Sequence, residues 1–170
     1  RKIRRSELKM NFNENYHLDG HDLTALFDKT FPAIGFADPV RQHIPNSGSI
    51  ISSVWDKNGS FIYIGIAGTQ KAFEKRSPLR RMQTHASGRR IGDQFNIYVH
   101  DFYVIPNLIE SGVFHYEKGI RDKLAKEFIQ KNLSYRFVHF QSEESAMIVT
   151  ELEILIKSGV FGFKPLLNGD

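Results

Sequence analysis

Apolar residues along the chain recur with period two in some stretches and with helical spacing in others, and the switches between the two mark its elements. Phe61-Ile62-Tyr63-Ile64-Gly65-Ile66-Ala67-Gly68 is almost wholly apolar, which predicts a strand buried on both faces. Ser53-Val54-Trp55 precedes it across Asp56-Lys57-Asn58-Gly59. The Asn58-Gly59 pair predicts a two-residue type I′ hairpin turn, since both residue types tolerate positive φ. With that loop, Ser52 falls opposite Gly65. Tyr135 to Phe140, YRFVHF, alternates as a third central strand. Gln94 to Pro106 alternates through Phe95, Ile97, Val99, Phe102 and Val104, with a shift near His100-Asp101, and predicts a further strand that extends the sheet.

Helical spacing governs the rest. Leu23, Leu26, Phe27 and Phe31 share one stripe after Asp22, a good N-cap. Ser77-Pro78 reads as an N-cap with proline at N1, so Leu79 to Ala86 is expected to be helical, with Leu79 and Met82 inward and Arg81 and His85 one turn apart on a shared face. Glu117 to Leu133 places Ile120, Leu124, Phe128 and Ile129 on one side and mixed charge on the other. Ser142-Glu143-Glu144-Ser145 opens a last helix whose apolar face is drawn from Met147 to Ile156. Glu151 interrupts that face among Met147, Ile148, Ile154 and Leu155, so its carboxylate is expected to point into the core or a cleft, offset by a cation or by Arg81. Glu153, nearer Lys157, is expected on the exposed side. Pro32, Pro39 and the Pro45-Asn46-Ser47-Gly48 cluster break the chain into an N-terminal appendage, 1–45, and a main domain, 46–170. The fold class expected is α+β: a small three-stranded antiparallel core, extended by an inserted strand and flanked by helices.

Composition narrows the chemistry. The 170 residues, 41% of them hydrophobic, suffice for one core. The absence of cysteine excludes disulfides, a thiolate nucleophile and a thiolate zinc site. No apolar run approaches the roughly 18 residues that span a bilayer, so a soluble, cytoplasmic protein without a membrane partner is expected. The net charge of +4 matters less than its clustering: Lys71, Lys75, Arg76, Arg80, Arg81, Arg89 and Arg90 face the single acid Glu74 between residues 71 and 90. That patch suits phosphate, and Lys71, Lys75, Arg76, Arg80, Arg89 and Arg90 are candidate contacts to a nucleic-acid backbone. The basic stretch from Arg1 to Asn15 is either a solvated arm or a further backbone contact. His17 and His21 have the spacing of a metal pair, but Gly20 between them and the lack of a third ligand favour loop histidines. His100, Asp101 and His115 carry either ligand and base contacts or ordinary fold roles, and His139 a structural one.

The tripeptide Tyr63-Ile64-Gly65, the pair Arg81-x-x-x-His85, a late glutamate at Glu151, and Lys164-Pro165-Leu166-Leu167-Asn168 together resemble the GIY-YIG nuclease superfamily. The resemblance implies a GIY-YIG-like fold and a divalent-metal-dependent endonuclease that hydrolyses DNA phosphodiester bonds, of restriction or mobile-element type. It assigns catalytic roles to Tyr63, Arg81, His85, Glu151 and Asn168, with Glu151 holding one Mg²⁺ or Mn²⁺ ion. Phosphodiester hydrolysis asks for a metal, a base and a cation near the transition state, and this residue set contains all three. The first tripeptide reads Ile50-Ile51-Ser52, without its tyrosine, which shifts the duty of handling water to Tyr63 and His85. Compact members have a short connection where this chain has residues 91–116, an insertion suited to target recognition. Double-stranded DNA is the expected partner, and cutting both strands suggests a homodimer. Two alternatives stand beside this reading: a catalytically impaired nucleic-acid-binding module on the same scaffold, motivated by Ser52, and a structural or protein-interaction domain.

Overall fold

The computed structural model describes residues 16–68, 77–112, 117–141 and 145–169. It has the α+β class read from the sequence. Two short strands, β1 (His17–Leu18) and β2 (His21–Asp22), form a small hairpin before α1 (Thr24–Phe27). Asp22 Oδ1 accepts from Thr24 N at the entry of α1, and Leu23, Leu26 and Phe27 are buried while Phe31 is exposed. The main sheet contains β3 (Ile34–Gly35), β4 (Ser49–Asp56), β5 (Phe61–Ala67) and β6 (Leu133–Phe140), all antiparallel, in the order β3-β6-β4-β5. Helices α2 (Pro78–Ala86), α3 (Gln94–Val99), α4 (Ile105–Ser111), α5 (Ile120–Asn132) and α6 (Ser145–Lys157) complete the chain.

The three expected strands lie side by side in the sheet, but the fourth comes from Ile34–Gly35 rather than from Gln94 to Pro106. The latter stretch is helical throughout: α3 runs into a π turn over His100–Val104 and then into α4. Its alternation was misleading because the same residues also satisfy a helical stripe. Phe95, Asn96, Val99, His100 and Val104 are the buried ones, and Pro106, which has no N–H to give the ladder, falls just after the π turn.

The hairpin turn also differs from expectation. Gly59 has φ +79° while Asn58 does not enter the positive region, so the connection is not a type I′ turn. Asp56 N donates to Ser60 O and Gly59 N to Asp56 O, closing a longer loop that ends on the left-handed glycine. Asp56 Oδ1 accepts from Asn58 N and Ser60 N and holds the turn. The register then shifts by one residue between Val54↔Tyr63 and Trp55↔Phe61. This bulge restores the pairing of Ser52 with Gly65 that the shorter turn predicted.

Each face of the sheet is covered. Ile50, Val54, Tyr63, Ala67 and Tyr135 pack under α2, α3 and α5 through Met82, Phe95, Val99, Ala125 and Ile129. Ile51, Trp55, Phe61 and Ile64 pack under α1 and α6 through Leu23, Leu26, Phe27, Val149, Leu152 and Ile156. Residues before Asn46 enter both clusters, Leu26 and Phe27 in one and Phe36, Val40 and Ile44 in the other. No helix among the described residues is long and apolar enough to cross a membrane.

Candidate functional site

β5 is an edge strand, and it positions the central side chain, Tyr63. Beyond its open edge, Leu166 N donates to Phe61 O and Leu167 N to Ile62 O, so a turn after α6 covers the beginning of that edge. Asn168 continues this pairing with its side chain: Oδ1 accepts from Ile64 N at 3.2 Å and Nδ2 donates to Ile64 O at 2.8 Å. The amide thus imitates a main-chain partner for the residue between Tyr63 and Gly65. Asn168 holds the strand that carries the site.

Tyr63 is 5% exposed, and its ring lies across Gly65, where an added Cβ would stand 2.9 Å from Tyr63 Cε1. Ser52 Oγ would be 3.7 Å from the same point, so the buried serine sits beside the ring at the position where the resemblance leads one to expect a second tyrosine. Three more rings surround Tyr63: His85 nearly perpendicular with centroids 6.0 Å apart, Phe95 at 5.1 Å and Tyr98 at 6.3 Å. Phe95 and Tyr98 belong to α3, so that helix of the expected insertion packs against the ring. Burial pushes the Tyr63 phenol well above its ordinary value. Arg81 opposes that rise, and Asp93, Glu153 and Tyr98 add to it. Tyr63 is therefore a neutral hydrogen-bond donor at neutral pH, with one cation and two carboxylates close enough for their fields to reach it.

α2 supplies Arg81 and His85 as the spacing predicted. Ser77 Oγ accepts from Arg80 N at 3.2 Å with Pro78 behind it, and Met82 is buried beneath the helix. Arg81 is half-buried and His85 is sealed at 1% exposure. His85 Nδ1 bonds to Asp93 Oδ2 at 2.7 Å, both side chains being buried.

Glu151 is not in this group. It is exposed, as are Met147 and Ile154 on the same side of α6. The buried stripe is Val149, Leu152 and Ile156, and the half-buried Glu153 borders it. The expected rotation of α6 was wrong because Met147, Ile148, Val149, Leu152, Ile154, Leu155 and Ile156 leave the helix apolar nearly all round, so periodicity does not choose a face. Val149, Leu152, Glu153 and Ile156 at i, i+3, i+4 and i+7 are the pattern that could have singled out Glu153. One of its oxygens pairs with Lys157 Nζ at 3.0 Å.

Among the candidate backbone contacts, Arg80 and Arg89 are exposed and Arg90 is half-buried; Lys71, Lys75 and Arg76 lie outside the described residues. So do the arm from Arg1 to Asn15 and His115. His100 has a fold role: fully buried, it bonds through Nε2 to Gly88 O at 3.0 Å, and burial lowers its basicity. Asp101 is exposed. His139 Nε2 meets Ser47 O at 2.9 Å, a structural contact between β6 and the entry to β4.

No cluster of three or more histidines and carboxylates suited to a metal occurs among the described residues. A divalent ion bound mostly by water and phosphate asks less of the protein, and the single carboxylate of Glu153 is a donor of the right hardness for it. Compared with family models, with curated proteins and with solved structures, the chain finds no match.

Proposed function

We propose that the chain is a divalent-metal-dependent endonuclease acting on DNA, built on a GIY-YIG-like scaffold, with Glu153 rather than Glu151 as its metal-binding carboxylate. The observation that carries this reading is that three of the expected residues meet at β5: the His85 ring stands 6.0 Å from that of the buried Tyr63, and Asn168 bonds both main-chain groups of Ile64 beside it, while the charges of Arg81 and Glu153 reach the phenol. A guanidinium, a phenol and a carboxylate are groups on which hydrolysis at a scissile phosphate would draw. Arg81 braces the phosphoryl oxygens with its planar fork. Tyr63, held neutral, donates to a phosphate oxygen or orients the attacking water. Glu153 would hold Mg²⁺ or Mn²⁺, which when bound supplies positive charge to the phosphoryl oxygens. Asn168 and Gly65 fix where Tyr63 stands. Arg80, Arg89 and Arg90 extend the positive surface along which duplex DNA lies, and a homodimer would bring two such sites to its two strands.

Plasmid cleavage tests the reading. Mg²⁺-dependent nicking should fall by about 100-fold or more in Glu153→Ala and stay within a few-fold of wild type in Glu151→Ala. Equal activity in Glu153→Ala, or cutting unaffected by chelation, overturns it. One observation favours a second reading: Ser52 is buried opposite Gly65, where the resemblance would call for the first-motif tyrosine. A nucleic-acid-binding module that has lost turnover would show salt-sensitive DNA binding without cleavage, and a structural or protein-interaction domain would show neither.

A further inference from the structure

Asp93 opens α3 as its N-cap residue, yet its side chain makes no capping hydrogen bond. Aspartate is among the residues best suited to that task, so a carboxylate that forgoes it is committed elsewhere. It is committed to His85: Oδ2 lies 2.7 Å from Nδ1, with the His85 and Asp93 side chains 2% and 0% exposed. Its other oxygen, Oδ1, is buried with no hydrogen-bond partner among the described residues, so the carboxylate is not placed for its own satisfaction. The backbone that carries it is pinned. Asn96, fully buried, donates through Nδ2 to Thr84 O and to Arg89 O, both at 2.9 Å, tying the end of α2 to the loop before Asp93, and Ile97 N donates to Asp93 O.

We infer that Asp93 is a positioning residue of the proposed nuclease site: its carboxylate accepts the hydrogen bond of His85 Nδ1–H, holding the ring beside Tyr63 with Nε2 as the nitrogen left unprotonated. The inference rests on the endonuclease reading for its use, but the arrangement itself is a matter of one hydrogen bond. An acceptor-only carboxylate at Nδ1 admits a single neutral tautomer, with the proton on Nδ1. It also fixes the rotation of the ring, whose edge relation to Tyr63 and 4.8 Å contact with Phe95 then follow. The pair thus stands against Tyr63 of β5 and Phe95 of α3, and Asp93, like Arg81, Tyr98 and Glu153, also acts on the Tyr63 phenol.

The test uses the full chain and reads the tautomer and the reaction separately. ¹⁵N-detected imidazole spectra should show His85 protonated at Nδ1 in the wild type and shifted toward the Nε2–H form in Asp93→Ala. In single-turnover cleavage of duplex DNA with Mg²⁺, Asp93→Asn and Asp93→Ala should lower the rate by about tenfold to 100-fold with DNA affinity unchanged. Asp93→Asn keeps the shape of the residue, so a loss of rate in a variant that melts like the wild type is not a folding defect. A wild-type spectrum with the proton on Nε2, or cleavage by a folded Asp93→Asn variant at the wild-type rate, overturns the positioning role alone. A wild-type protein that binds but never cleaves DNA overturns the nuclease reading and the catalytic use of the pair with it, whatever the tautomer proves to be.

Discussion

Replacing Asn168 with alanine removes two hydrogen bonds at once, one accepted from Ile64 N and one donated to Ile64 O. Each is worth about 1 kcal/mol net, and leaving two half-buried main-chain groups unpaired adds to that, so a loss of roughly 2–4 kcal/mol is expected. For a domain of this size that corresponds to a fall of about 5–10 °C in Tm. Asn168→Asp should be no better at neutral pH, since the carboxylate keeps the acceptor for Ile64 N but turns a second acceptor on Ile64 O. Leu166→Ala is the control. Its side chain is 61% exposed and its pairing with Phe61 is through the main chain, so it should change stability by no more than about 0.5 kcal/mol. Urea denaturation of the three variants measures the difference. An Asn168→Ala protein as stable as Leu166→Ala would refute the view that this amide closes the edge of β5.

Other expectations follow from the same geometry. Tyr135 is fully buried, its hydroxyl has no partner among the described residues, and burial pushes its phenol up to about 12 from an ordinary value of 10.0. Tyr135→Phe should therefore gain about 1 kcal/mol in chemical denaturation. Because the folded state holds this proton more tightly, its contribution is intact below the unfolded value and is lost as pH rises toward the folded one, so alkaline melting curves should fall less steeply in the variant. Gly65→Ala would press a methyl group against a Tyr63 ring that three other rings confine. Cleavage should drop about tenfold or more while DNA affinity holds, as steady-state kinetics beside gel shifts would show. Arg80→Ala and Arg89→Ala, both at exposed positions, should each lower the slope of log affinity against log salt by about 1 in binding titrations, without moving Tm.

The three strands and the cap of α2 were legible because each rests on local chemistry, such as alternation in Tyr135 to Phe140 and Ser77-Pro78 before a helical stripe, whereas Ser52 meets Gly65 as expected only because the bulge after Val54 offsets a longer turn. Two things were hidden. Where apolar residues fit both periods, as from Phe95 to Val104, only the partners across the sheet decide, and Ile34–Gly35 already holds the position beside β6. Where they surround a helix, as on α6, rotation is set by which neighbours need covering. Val149, Leu152 and Ile156 meet Ile51, Trp55 and Ile64, which leaves Glu153 beside the buried stripe and turns Glu151 outward. Asp93 was concealed by the same misreading, because a residue taken to precede a strand has no α-helical turn to bring it beneath His85.

Ile64 and Asn168 are separated by 104 positions. A ribosome therefore delivers Tyr63 long before it delivers the amide that completes its strand. Until then the outer rim of β5 offers free donors and acceptors to any extended chain nearby. The rim is therefore closed only once a further 104 residues have been made, so folding of this edge cannot be completed locally.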